Sequence, residues 1–243
     1  MGVVGARGLG LLVAMMTAAT VFANTAAAEA PPMPSVPVDD ESSSCTADFA
    51  AQGDDGSYYL LTSGHCDAHD GSVWTYGPSI PLGSITASEK EGDKRDAAII
   101  HLNPAVGVPT GGVGGMSVRD VLSSNELKLG EPFCKLGAVT GETCGTITEI
   151  NGNVVEASVY SLGGDSGSPG YVKNDDGTVS AVGILISSPE GDDNTTYFTL
   201  VQPLLGKWGL RILPLTALRS ARRFRRAWYG VPAGPASCVR TAR

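Results

Sequence analysis

Apolar runs of four to eight residues recur along the chain with turn chemistry between them. They are SYYLLTSG (57–64), SVWTYG (72–77), IPLGSITAS (80–88), DAAIIHL (96–102), EPFCKLGAV (131–139), CGTITEI (144–150), NVVEASVY (153–160), GSPGYV (167–172), VSAVGILIS (179–187) and YFTLV (197–201). Such runs read as strands. Asn151-Gly152 and Asp176-Gly177 fall between them, and Asx-Gly is a strong hairpin signal. The one helix the pattern predicts is LVQPLLGKWGL at 200–210, short and interrupted by Pro203. Ten or more strands with hairpins and no strand–helix–strand alternation predict an all-β chain, a sandwich or a pair of barrels.

Composition narrows this reading. Of 243 residues 42% are apolar, enough for a core, and the 32 glycines and 15 prolines suit many short strands and turns. There is no fixed Gly period and no sustained heptad, which excludes collagen and coiled coil, and the Val, Ile and Leu content excludes wholesale disorder. The net charge of −8 is unevenly spread. Residues 217–243 hold seven arginines and no acid, which leaves the first 216 residues near −15, with 25 acidic against ten basic side chains. So acidic a body is not expected to bind nucleic acid.

Arg7, an apolar run from Leu9 to Ala23 and the small residues Ala26-Ala27-Ala28 have the three-part layout of a secretory signal peptide, assigned to residues 1–28. The run is too short to cross a bilayer. Residues 29–44, rich in Pro, Asp and Ser, are expected to be a flexible arm, 45–216 the folded domain, and 217–243 a basic tail. The tail, with Arg222, Arg223, Arg225 and Arg226 around Phe224, reads as a solvated extension; weak contact with an anionic lipid or envelope polymer is its functional alternative. Export to the extracellular space or cell envelope permits disulfides. Cys45, Cys66, Cys134 and Cys144 allow three pairings, of which the local one closes the shortest loops, and Cys238 is left over. No C-x-x-C pair exists. His65 and His69 are spaced H-x-x-x-H, but Gly64 and the polar DAHDGS segment make a loop there, so neither metal nor cofactor is expected.

The chain has three histidines, His65, His69 and His101, so a histidine base must come from its first half. Gly163-Gly164-Asp165-Ser166-Gly167-Ser168 places a serine in a glycine-rich turn between two strands, where backbone amides can converge near its hydroxyl. The G-x-S-x-G elbow fails at Ser168, and its chain order would need a histidine after the serine. The order His, Asp, Ser remains.

Three motifs in that order resemble the chymotrypsin family. Thr62-Ser63-Gly64-His65-Cys66 is similar to its T-A-x-H-C, Asp96-Ala97-Ala98-Ile99-Ile100 to its D-x-A-hydrophobic, and Gly164-Asp165-Ser166-Gly167 to its G-D-S-G. They stand 31 and 70 positions apart. Residues 133–145, FCKLGAVTGETCG, are similar to a segment of secreted bacterial members such as streptogrisins and α-lytic protease. The resemblance covers about residues 45–212. It implies two antiparallel six-stranded β-barrels with a short C-terminal helix, an active site between the barrels, and the local pairings Cys45–Cys66 and Cys134–Cys144. It further implies His65 as base, Asp96 as its orienting partner, Ser166 as nucleophile, and the amides of Gly164 and Ser166 as an oxyanion hole.

The resemblance also puts Lys135 where bacterial members carry an Arg, predicting a Lys135–Asp165 ion pair. The third bridge of those members has no counterpart, since Tyr160 stands in place of one of its cysteines. The expected specificity pocket comprises Tyr160, Ser161, Ile186, Ser187 and Ser188. Ser188 stands where a glycine normally leaves room, which predicts a shallower pocket preferring a small or medium apolar side chain. The expectation is a secreted, monomeric serine endopeptidase acting on polypeptides. Its rival is a catalytically silent homologue that binds a peptide or an envelope ligand.

Overall fold

A computed structural model of the chain describes Gly2 and residues 30–91 and 95–215. The expected signal peptide, Gly2 apart, the expected basic tail and Cys238 lie outside the described residues.

The first half of the fold is one sheet. Its strands are β1 (Pro37–Asp39), β2 (Ser44–Thr46), β3 (Ala50–Gly53), β4 (Tyr58–Thr62), β5 (Trp74–Tyr76), β6 (Ile80–Lys90) and β7 (Asp96–Leu102). The second half contributes β8 (Val118–Val121), β9 (Pro132–Gly137), β10 (Gly141–Asn151), β11 (Val154–Ala157), β12 (Pro169–Lys173), β13 (Val179–Ser187) and β14 (Thr196–Leu200). The one α-helix among the described residues, α1 (Val201–Trp208), then leads into β15 (Leu210–Ile212), which returns to the first sheet beside β3.

Two six-stranded barrels were expected, and the sheets correct that expectation. The first sheet has eight strands in the order β15-β3-β4-β7-β6-β5-β1-β2, and among the described residues it stays open. The second has seven: β12-β9-β10-β11-β14-β13 is closed into a six-stranded barrel by β12–β13 pairing, and β8 lies parallel on β13 outside the ring. Three-residue strands account for the extra width of the first sheet, because such segments are too short to show a period. β1 falls inside the arm expected to be flexible. Val38, fully buried, anchors it, and Pro37 sits beyond the two residues that pair with β5, where its missing N–H costs nothing.

Turn chemistry and burial explain most of the rest. The Asn-Gly turn joins β10 to β11 with Asn151 paired to Val154, and the Asp-Gly turn joins β12 to β13. β7 and β13 are buried along nearly their whole length, since each carries neighbours on both sides and packed side chains on both faces. In α1, Pro203 occupies the first turn, where no intrahelical partner awaits its N–H, and Gly209 ends the helix in the left-handed conformation. Apolar residues of both halves, Phe49, Leu61 and Ile99 from one and Tyr171, Val179 and Ile184 from the other, meet with Leu204 and Leu205 of α1 in a shared core.

Candidate active site

β4 ends at Thr62, and the chain tightens into a single 3-10 turn, Gly64–Cys66, that carries His65. Asp96 opens β7 on the neighbouring strand and is buried. Its two carboxylate oxygens grip the same residue: Oδ1 accepts the backbone N–H of His65 at 2.6 Å, and Oδ2 lies 2.7 Å from the ring Nδ1. Thr199 of β14 steadies Asp96 by accepting its N–H at 3.1 Å. Gly64 makes this approach possible. A Cβ there would overlap the carbonyl oxygen of Glu89 and stand 2.9 Å from the Ala97 nitrogen and 3.0 Å from Asp96 Oδ1. Gly64→Ala is therefore expected to lower stability by about 1–3 kcal/mol and to shift His65 off Asp96; urea unfolding together with the pH dependence of His65 in NMR spectra would read both effects.

Ser166 sits in the turn before β12, between Gly164 and Gly167, whose φ values of +93° and +87° are open to glycine at little cost. A Cβ at Gly167 would also overlap Thr46 O and Thr62 Oγ1. The first sheet clasps this turn. The Thr46 N–H donates to Ser166 O at 2.7 Å, and the Thr46 hydroxyl donates to Gly164 O at 2.8 Å. The amides of Asp165, Gly167 and Ser168 donate to Leu162, Leu185 and Asp165, whereas those of Gly164 and Ser166 have no acceptor among the described residues.

Beneath the turn lies a buried ion pair. Lys135 Nζ is 3.0 Å from Asp165 Oδ2, and both side chains are fully buried. Lys135 also donates to Gly141 O at 3.2 Å and to the Thr140 hydroxyl. Asp165 collects the amides of Val139 and Thr140 on Oδ1, and the Leu162 amide and Thr140 hydroxyl on Oδ2. Burial pushes the Asp165 carboxyl up, but hydrogen bonds from Thr140, Leu162 and Lys135 outweigh it and hold the group below its ordinary range. Burial draws the Lys135 ammonium below its own usual value, against the pull of Asp165.

His65, Asp96 and Ser166 line one cleft of about 410 Å³. Of the expected pocket residues, Ser161, Ile186, Ser187 and Ser188 line it too, with Leu162, Gly163 and Leu185. Tyr160 does not; it is 40% exposed and holds the Thr143 hydroxyl on its carbonyl. A larger groove of about 930 Å³ continues past Ser187 and Ser188 toward Glu149, Glu156 and Tyr197, away from His65 and Ser166. Cys45–Cys66 and Cys134–Cys144 are the two disulfides among the described residues. The Cys45 and Cys66 sulfurs near His65 are thus spent in a bridge and are poor metal ligands. His69 lies apart, exposed, with Nδ1 on Asp67 at 2.8 Å.

No family model matches the chain. Two uncharacterized proteins of Mycobacterium tuberculosis, Rv1815 of strain H37Rv and MT1863 of strain CDC 1551, are each 42% identical to it over 60 residues. That stretch is 24% of this chain and 27% of theirs, so the chain spans about a quarter of the length of these curated relatives. Among solved structures, Thermobifida fusca protease A superposes with a TM-score of 0.60 at 24% identity, over 75% of this chain and 98% of the protease. A glutamic acid specific serine protease superposes with a TM-score of 0.62 at 21% identity, over 74% and 100%. α-Lytic protease homolog N4 does so with 0.58 at 25% identity, over 76% and 99%. The chain matches the bacterial chymotrypsin-like serine proteases in fold.

Within this chymotrypsin-like fold, the motifs bring together His65, Asp96 and the Ser166 turn, but not the groups that brace them. Thr46, Thr62, Thr140 and Thr199 each contribute a hydroxyl to the site from a separate segment. Thr62 opens the first motif and Thr46 follows Cys45, so both could have been suspected. Thr140 lies in the segment 133–145 singled out above, though that resemblance assigned it no role, and Thr199 sits in ordinary strand sequence, where nothing distinguishes it from other threonines of a sheet.

Proposed function

We propose that the protein is a serine endopeptidase working through His65, Asp96 and Ser166. The observation that carries this reading is the double grip of Asp96 on His65, in a cleft that the Ser166 turn also lines. A serine hydroxyl is a weak nucleophile at its free pKa and needs a base to take its proton. With Nδ1–H held on Asp96 Oδ2, the ring keeps its proton on that nitrogen and presents Nε2 as the acceptor. Nε2 takes the Ser166 proton as Oγ attacks the peptide carbonyl, and returns it to the leaving amine. Asp96 then faces an imidazolium and stabilises it. The unpartnered amides of Gly164 and Ser166 suit a developing oxyanion, an interaction worth about 3–4 kcal/mol for each donor. Water releases the acyl group by the same steps in reverse.

The substrate of this reading is a polypeptide, and the place of action is outside the cytoplasm. The N-terminal apolar segment and two disulfides support export. The test is labelling of the purified, folded protein by a fluorophosphonate probe beside Ser166→Ala and His65→Ala. Labelling of the parent alone is expected. A folded parent that stays unlabelled would overturn the reading in favour of a silent, ligand-binding homologue.

A further inference from the structure

Two hydroxyls that line the cleft, those of Ser161 and Ser188, and a third beside them, that of Thr196, bear on which side chain it accepts. Ser161 Oγ lies 2.9 Å from Ser188 Oγ and 2.8 Å from Thr196 Oγ1. Thr196 Oγ1 donates in turn to the carbonyl of Val159 at 2.8 Å. Ser161 and Thr196 are buried, and Ser188 is half-buried. A hydroxyl has one proton and two lone pairs. The Thr196 proton is committed to Val159, so the Ser161–Thr196 bond exists only with Ser161 donating. That uses the Ser161 proton, and the Ser161–Ser188 bond forms only with Ser188 donating. The chain therefore runs one way, from Ser188 to Ser161 to Thr196 to a carbonyl, with every proton pointing away from its open end. What it offers the cleft is lone pairs.

We propose that this one-way hydroxyl chain selects a neutral hydrogen-bond donor, the carboxamide of Gln or Asn, on the acyl side of the scissile bond. Along this hydroxyl chain a carboxylate meets a donor only if Ser188 turns its proton outward, which leaves two oxygens lone pair to lone pair at 2.9 Å. Asp193 and Lys90, both exposed on the cleft, carry opposite charges that water screens. An apolar side chain strips water from the lone pairs and returns nothing, the penalty that makes polar sites reject apolar analogues. A Lys or Arg side chain would be desolvated against dipoles alone, because Asp193 is exposed and its charge is screened by water. This replaces the apolar preference expected from the sequence, where Ser161 and Thr196 stand 35 positions apart.

This selection rests on the peptidase reading of the same cleft, and one experiment separates the two. Peptides varied only at that position are assayed with protein whose reactive serine is titrated by a fluorophosphonate. For Gln or Asn, kcat/KM is expected to exceed that for Glu, Asp, Met or Leu at least about tenfold. Thr196→Val keeps the shape but removes the proton acceptor that orients the chain, freeing the Ser161 proton to face the cleft. The Gln-to-Glu ratio is then expected to fall about tenfold, whereas simple structural damage would lower both rates together. Thr196→Ser should keep the ratio. Protein that labels but prefers Leu, Glu or Arg, or a ratio unmoved in Thr196→Val, overturns the proposal and leaves the peptidase standing. Protein that neither labels nor cleaves overturns both.

Discussion

Replacing Lys135 by methionine is expected to destabilise the fold by about 3–5 kcal/mol and to lower activity with it. The side chain is fully buried and its ammonium is the cation facing Asp165. Methionine fills much of the volume, so the loss is electrostatic: Asp165 keeps its amide donors but stays charged and buried without a counter-ion. The effect reaches Ser166 because Asp165 is its chain neighbour, tied to Val139, Thr140 and Leu162. Lys135→Met combined with Asp165→Asn should cost less than Lys135→Met alone, since no uncompensated charge remains. The pH dependence has a definite sign. The Asp165 carboxyl is held below its ordinary value, so its contribution is complete above about pH 4 and is lost as pH falls through the lowered value. Without the ammonium that value rises, and acid unfolding should begin at higher pH in Lys135→Met. Urea titrations from pH 3 to 7 measure both effects; a variant as stable as the parent throughout would show that the ion pair does not brace the turn.

The strands, and the residues that come to line the cleft, are legible in the sequence because both are local or nearly so. A run such as DAAIIHL becomes β7 because its apolar length and β-branched residues suit a buried strand, and Asp96 stands at its mouth. Sheet width is less legible. β1, β2 and β15 have three residues each, too few to show a period, and β1 and β15 join the sheet through the distant β5 and β3, so no window along the sequence reveals them. The braces are hidden for the same reason. Thr46 reaches Gly164 across 118 positions, and Asp96 meets Thr199 across 103. Asp48 is a further case. In sequence it is an ordinary acid beside Phe49, yet it is fully buried with Oδ2 unpartnered among the described residues, and burial raises its carboxyl well above the ordinary range. Local pattern names the actors of the cleft; long-range hydrogen bonds decide where they stand.

Asp96→Asn should leave the fold nearly intact and reduce kcat/KM by about four orders of magnitude. Which atom can accept which proton decides the outcome. The backbone N–H of His65 is only ever a donor, and it points at Oδ1 from 2.6 Å. An asparagine must therefore turn its carbonyl oxygen to that amide, which swings its NH2 toward the ring Nδ1. Two donors cannot share one bond, so Nδ1 gives up its proton and becomes the acceptor. The imidazole proton moves to Nε2, the nitrogen that has to receive the Ser166 proton, and the base is switched off with every heavy atom in place. Nitrogen NMR of the His65 ring should report the exchanged tautomer, and fluorophosphonate labelling should slow in step with peptide hydrolysis. Slow hydrolysis with the parent tautomer would mean that Asp96 acts through its charge alone. Unchanged hydrolysis would mean that His65 is not the base.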